Sequence, residues 1–152
     1  MVAHQFEKSA ALARQSLTLD AHFTLAHLML GASLAERRDC SGALAEIRPS
    51  SDLGDSDVVL AVQAFVYARC SSHAEALAAL HRLTGQGRAQ GAPFLIAAAY
   101  AAVGDDDRAE EWLDRTVAER DGGILSLQSN PVFDGLRSAA RFQSLLARVH
   151  LK

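Results

Sequence analysis

Six histidines are the residues of this chain that could most readily hold a metal ion. His22 and His27 are five residues apart, so they do not share the face of a helix. His73 and His81 are eight residues apart. Neither pair has a cysteine or carboxylate partner at a spacing typical of zinc sites. We therefore predict no metal site.

Aspartates and glycines are the next candidates for chemistry. Asp52, Asp55 and Asp57 are spaced like part of a calcium loop, but the glycine and distal Glu of that loop are missing. The aspartates at 105–107 begin a predicted helix, where the helix dipole favours negative charge. The glycines at 85–91 lack both the dinucleotide-binding spacing and the Lys-Ser/Thr pair of a phosphate loop. Since no signature of an activated nucleophile is present either, we predict a protein that is not an enzyme and binds no cofactor.

Charge and composition exclude further classes of protein. The formal net charge of −3 argues against a nucleic-acid partner, because such binding needs basic patches that displace counterions. The longest apolar stretch, residues 94–103, is too short to span a bilayer, which takes about 20 residues. No secretory signal is visible. We expect a soluble, cytoplasmic protein without a membrane partner.

Cys40 and Cys70 are the only cysteines, and each lies at the edge of a predicted turn between helices. Cytosolic proteins usually keep their thiols reduced, so a reduced pair is the favoured interpretation. A disulfide between the two residues is the alternative.

Apolar residues three or four positions apart predict helices along most of the chain, and no strand pattern of useful length is present. Ser56 or Asp57 is a plausible N-cap, and Pro93 suits a first helical turn. Polar connectors are expected at 50–57 and 84–91. The predicted helices cover about 2–19, 23–37, 40–48, 58–70, 73–83, 93–103 and 106–120.

An offset of 33 residues superimposes three stretches of the chain, which is typical of stacked helical repeats. Two columns hold small residues, one a bulky residue and one a large aliphatic residue. The columns are Gly31, Ala64 and Ala97; Ala43, Ala76 and Ala109; Leu34, Tyr67 and Tyr100; and Ile47, Leu80 and Leu113. Small residues allow two helix backbones to approach closely, and the bulky ones fill the space beside the crossing.

These columns resemble the tetratricopeptide repeat over roughly residues 1–120, with Tyr67, Ala76 and Leu80 in one match. The repeat here is 33 residues long instead of the usual 34. The tail, at 119–123, 130–137 and 141–146, resembles the ends of such arrays in bacterial multidomain regulators. These regulators include winged-helix transcription factors, nucleotide cyclases and Ser/Thr kinases.

The resemblance implies an all-α fold of antiparallel helix pairs, stacked as a short right-handed α-solenoid with a C-terminal capping helix. Residues 1–120 would form about three and a half pairs without the first helix, and residues 121–152 the cap. The residues expected to cover the last pair are Phe133, Leu136, Phe142, Leu145 and Leu146. The N-terminal edge would then expose apolar surface, through which a homodimer could form.

The resemblance also implies a concave groove lined by the first helix of each pair. It places there Leu28, Met29, Ala32, Glu36, Ala61, Phe65, Arg69, Phe94, Ala98 and Ala102. This groove predicts a protein-interaction scaffold for an unidentified protein or peptide partner, belonging to a bacterial signalling or transcription regulator. The alternative function is a sensor that binds a small apolar ligand in the groove. A further alternative is that Leu28, Phe65 and Phe94 belong to the core or are covered by the N-terminal helix.

Overall fold

A computed structural model describes residues 2–47, 56–70, 72–85 and 92–149. Within these ranges the regular structure is helical, with no strand. The α-helices are α1 (Val2–Leu19), α2 (Thr24–Glu36), α3 (Cys40–Ile47), α4 (Asp57–Arg69), α5 (His73–Thr84), α6 (Pro93–Val103), α7 (Asp106–Ala118) and α8 (Ala140–Arg148). Two 3-10 helices, Gly122–Ser126 and Pro131–Leu136, lie between α7 and α8. The predicted all-α class is confirmed.

Some predictions concern residues outside the described ranges. They include most of the connector at 50–57, with Asp52 and Asp55, and most of the loop at 84–91.

Local capping residues set several helix boundaries. The hydroxyl of Ser56 accepts a 3.3 Å hydrogen bond from the backbone N–H of Val59, at the start of α4. Gly104 ends α6 with a φ of 82°, a left-handed conformation that glycine adopts readily. The carboxylate of Asp105 then accepts a 3.2 Å bond from the N–H of Arg108 and caps α7. The predicted cap before α4 is confirmed.

The helices pack as consecutive pairs. α2 packs against α3, α4 against α5 and α6 against α7, while α4 also lies against both α2 and α6. The alanines of the repeat columns are fully buried: Ala43, Ala64, Ala76, Ala97 and Ala109. A Cβ on Gly31 would lie 3.0 Å from Cγ2 of Ile47, so the predicted close approach is confirmed for α2 and α3. The right-handed solenoid stays a prediction.

The C-terminal segment covers the end of the core. Its apolar residues are buried in one cluster with α4, α5, α6 and α7: Phe133, Leu136, Phe142, Leu145 and Leu146. On the surface, Asp114 of α7 pairs with Arg141 at 2.8 Å and with Arg148 at 2.9 Å. Apolar burial therefore supplies most of the stabilisation of this segment, since exposed ion pairs contribute little.

Cys40 and Cys70 form a disulfide, so the expectation of a reduced pair is wrong. Cys40 begins α3 and Cys70 follows α4, and their Cα atoms are 5.3 Å apart, within the usual range for a disulfide. The preference of cytosolic proteins for reduced thiols takes no account of tertiary contacts, and here the side-by-side packing of α2 and α4 brings the two turns together. Linking residues that are 30 apart stabilises the fold by about 3.5 kcal/mol, through the entropy of the unfolded chain.

His27 joins α2 to α3 and to the turn that precedes α2. Its Nε2 lies 3.0 Å from the carbonyl oxygen of Ala21, and its Nδ1 lies 2.7 Å from Oε2 of Glu46. The bond to the Ala21 carbonyl and then the bond to Glu46 favour the protonated ring. Together they outweigh partial burial and raise the pKa of His27 above its usual 6.5.

This raised pKa predicts a pH-dependent stability. A group with a higher pKa in the folded state stabilises the fold fully below its unfolded pKa of 6.5, and loses that effect as the pH rises through the folded value. The free energy of unfolding of the wild type should therefore fall above pH 6.5, relative to that of His27→Gln. Urea titrations across this pH range measure the difference. Glu46→Gln should fall less steeply than the wild type, and parallel wild-type and His27→Gln curves would contradict the assignment.

Candidate binding cavity

A cavity of about 220 Å³ lies between α1, α2, α4 and α6. Its wall consists mainly of apolar and aromatic side chains. The wall residues are Phe6, Ser9, Met29, Ala32, Ser33, Glu36, Ala61, Val62, Phe65, Phe94, Leu95, Ala98 and Asn130. Met29 is 42% exposed, so this part of the wall reaches the surface of the molecule.

The structure brings together seven of the ten predicted groove residues in this wall: Met29, Ala32, Glu36, Ala61, Phe65, Phe94 and Ala98. The other three lie elsewhere. Leu28 is a core residue, at 3% exposure, which is the alternative that the sequence left open for Leu28, Phe65 and Phe94. Phe94 is a core residue as well, at 7% exposure, although it also lines the cavity. Arg69 contacts Glu36 from behind the wall, and Ala102 is half-buried outside it.

Helical periodicity explains how α2, α4 and α6 build the wall. The wall residues of α2 follow one another at intervals of three, one and three, at positions 29, 32, 33 and 36. The wall residues of α4, at 61, 62 and 65, and those of α6, at 94, 95 and 98, follow one another at intervals of one and three. Such residues share one helix face. Small side chains such as Ala61 and Ala98 line this wall together with the phenyl rings of Phe65 and Phe94, and they leave space that larger side chains would fill.

Six wall residues were not predicted from the sequence. Ser33, Val62 and Leu95 are neighbours of predicted residues on the same helices, so helical periodicity could have found them. Phe6 and Ser9 come from α1. The helical spacing of apolar residues places Phe6 on the apolar face of this helix, but it does not indicate which other helices that face packs against. Asn130 comes from the C-terminal segment, where its Oδ1 accepts a 3.1 Å bond from the N–H of Val132. Only the tertiary fold brings this residue to the cavity.

Among the wall residues that the structure describes, Glu36 has the only ionisable side chain, and this side chain is 5% exposed. Nη2 of Arg69 donates a 2.9 Å hydrogen bond to Oε2 of Glu36. Oε1 of Glu36 and Nε of Arg69 are buried and have no hydrogen-bond partner among the described residues. Nη1 of Arg38 donates to the carbonyl oxygen of Arg69 at 3.3 Å, beside the disulfide at Cys70. The ion pair thus leaves one acceptor atom and one donor atom over, and both are shielded from solvent.

Phe94 is held in the wall by the turn that follows α7. Asp121 accepts hydrogen bonds from the backbone N–H of Phe94 at 3.4 Å and from that of Gly123 at 2.8 Å. The ring of Phe94 meets the ring of Phe133 edge to face, with centroids 5.6 Å apart. A Cβ on Gly123 would lie 2.7 Å from Cβ of Phe94, so only glycine fits at this position.

No family model, no curated protein and no solved structure matches this chain. Among the residues that the structure describes, no three His, Cys, Asp or Glu side chains come together as a metal site would require. In the same ranges, no helix has the length and apolar character needed to cross a membrane. The functional inference therefore depends on the geometry of the cavity.

Gly123→Ala should lower the free energy of unfolding by about 1–3 kcal/mol, because the added methyl group overpacks against Phe94. Its neighbour offers a matched control. A Cβ on Gly122 would meet no atom within 4 Å, so Gly122→Ala should change stability by less than about 0.5 kcal/mol. Urea denaturation measures both, and equal effects would contradict the packing described for Phe94.

Proposed function

We propose that this chain is a protein-interaction module whose cavity receives an apolar side chain from a protein partner. The observation that carries the proposal is the apolar wall, to which α1, α4 and α6 each contribute one phenyl ring. Recognition of protein partners commonly depends on a few large side chains that enter desolvated pockets. The exposed Met29 is well suited to such a surface, because its side chain is flexible and polarizable.

The size of the cavity favours a single side chain over a whole small molecule. Pockets for small-molecule ligands usually measure about 300–1,000 Å³. The volume here is about 220 Å³. A sensor of a small apolar ligand is therefore the less supported function, and no catalytic role is proposed.

The proposed architecture is a short array of tetratricopeptide-type pairs in which α2, α4 and α6 are the first helices and α3, α5 and α7 the second. Burial of the small residues at the pair contacts supports it. The resemblance of the tail supports a place in a bacterial signalling or transcription regulator. A homodimer through the N-terminal edge stays a prediction. The exposure of Leu12 at 61% and of Leu19 at 86% supports it, because both leave apolar surface of α1 open to solvent.

The cytoplasmic location expected from the sequence also stays a prediction. The disulfide between Cys40 and Cys70 argues for an oxidising environment, because reducing compartments keep most thiols free.

Selection from a phage library of randomised peptides tests the interaction module. Peptides selected on the wild type should bind Ala32→Trp at least about tenfold more weakly, because the new side chain fills the cavity and excludes the anchor. Ala78→Trp, on the exposed face of α5, is the matched control and should bind like the wild type. Thermal unfolding checks that both variants are folded. Selected peptides that bind all three proteins equally, or a selection that yields none, would contradict the proposed function.

A further inference from the structure

The disulfide between Cys40 and Cys70 joins two helix pairs that pack into different parts of the core. The helices α1, α2 and α3 pack against one face of α4, through Val59, Val62 and Val66. The opposite face of α4 packs with α5, α6, α7 and α8. The bond therefore links the pair α2–α3 to the pair α4–α5. Both cysteines are half-buried, which leaves the bond within reach of a reductant.

The polar groups beside this bond are incompletely paired. Glu36 of α2 and Arg69 of α4 form a 2.9 Å ion pair, and the side chain of Glu36 is 5% exposed. Oε1 of Glu36 and Nε of Arg69 are buried without a hydrogen-bond partner among the described residues. A buried ion pair offsets the loss of hydration only when its remaining polar atoms are also bonded. This contact therefore opposes the close approach of α2 and α4 at this end.

The disulfide holds the same end closed, because Cys70 follows Arg69 directly in the chain. Nη1 of Arg38 also reaches the carbonyl oxygen of Arg69, but at 3.3 Å this is a long bond at the surface. Away from this end, apolar packing holds α2 on α4. We therefore expect loss of the disulfide to open one end of the contact and to leave the fold in place.

A dithiol reductant supplies the chemistry that breaks the bond. One thiolate attacks Sγ of Cys70, forms a mixed disulfide and expels the electron pair of the S–S bond onto Sγ of Cys40. Cys40 is the better leaving group, because the N-terminus of α3 favours negative charge and the C-terminus of α4 does not. The second thiol of the reductant then displaces the thiolate of Cys70. The protein gains two electrons and two protons, and the reductant becomes a disulfide.

We propose that the bond between Cys40 and Cys70 is a redox switch that sets the shape of the cavity. In the oxidised protein it holds the ends of α2 and α4 together and keeps Glu36 and Arg69 out of water. Reduction by a dithiol releases these ends, water reaches the ion pair, and the wall residues of α2 move relative to those of α4. The inference goes beyond the proposed function and does not depend on what the cavity receives.

Reduction by dithiothreitol, followed by thiol alkylation, tests whether the bond is cleaved in the folded protein. The rate should stay constant within about twofold as urea is raised below the unfolding transition, because the native state is attacked directly. Leu145→Ala, which leaves a void in the core at α8 and lowers global stability, should be reduced at the same rate. A rate that rises with the unfolded fraction would overturn the switch.

Methyl NMR of the oxidised and reduced wild type tests the effect on the wall. The reduced protein should stay folded, and the resonances of Ala32 in α2 and Ala61 in α4 should shift. Ala61 lies about 13 Å along α4 from Cys70, so the change at the sulfur does not reach it directly. The resonance of Ala109, buried in α7, should not shift. Cys40→Ser with Cys70→Ser should show the reduced resonances without a reductant.

A second double variant separates the switch from a loss of stability. Glu36→Leu with Arg69→Met replaces the ion pair by apolar groups, which proteins often tolerate, and removes the polar atoms that favour opening. Reduction of this variant should leave the wall resonances unshifted. Arg115→Met with Glu119→Leu removes an exposed 2.9 Å ion pair at the end of α7 and is the matched control, which should respond to reduction like the wild type.

The outcomes distinguish this inference from the proposed function. Wall resonances that do not shift on reduction, or that shift as much in Glu36→Leu/Arg69→Met as in the wild type, overturn the switch. Complete unfolding of the reduced protein overturns it as well, because the bond is then a structural cross-link. In each of these cases the proposed function still stands if the selected peptides require the open cavity of the oxidised protein.

Discussion

Small residues at the helix contacts set the distance between paired helices, and the cavity depends on that distance. Gly31 allows α2 to approach α3 so closely that even one added carbon would press on Ile47. Ala32 and Ser33 follow Gly31 directly in α2 and lie in the wall of the cavity. A larger residue at position 31 would therefore move that wall. In this way the packing of each pair determines the shape of the surface between pairs.

Contacts outside the wall hold the cavity at both ends. At one end, the disulfide between Cys40 and Cys70 and the bond from Arg38 to the carbonyl of Arg69 join α2 and α4 behind the Glu36–Arg69 pair. At the other end, the turn after α7 fixes the start of α6 and with it the ring of Phe94. The wall thus owes its geometry to residues that an occupant would not touch.

Local signals allowed much of the fold to be predicted from the sequence. Periodicity and caps placed α1 at Val2–Leu19 and α6 at Pro93–Val103, with the bounds that the structure has. The resemblance to the tetratricopeptide repeat implied ten groove residues, and seven of them line the wall of the cavity. The disulfide, the contribution of α1 and Asn130 to the wall and the partner of His27 could not be predicted. Each depends on contacts between segments far apart in sequence.

Methyl NMR during a titration with indole, as a probe for an apolar side chain, tests the central claim most directly, namely that this cavity is the site where an apolar side chain of a partner binds. The claim predicts that the methyl resonances of Met29, Ala32 and Ala98 shift together, with one saturation curve, since all three line the cavity. Those of Ala78 and Ala147, which are exposed outside the wall, should not shift. Shifts spread over all five methyl groups, or absent from the three wall residues, would contradict it.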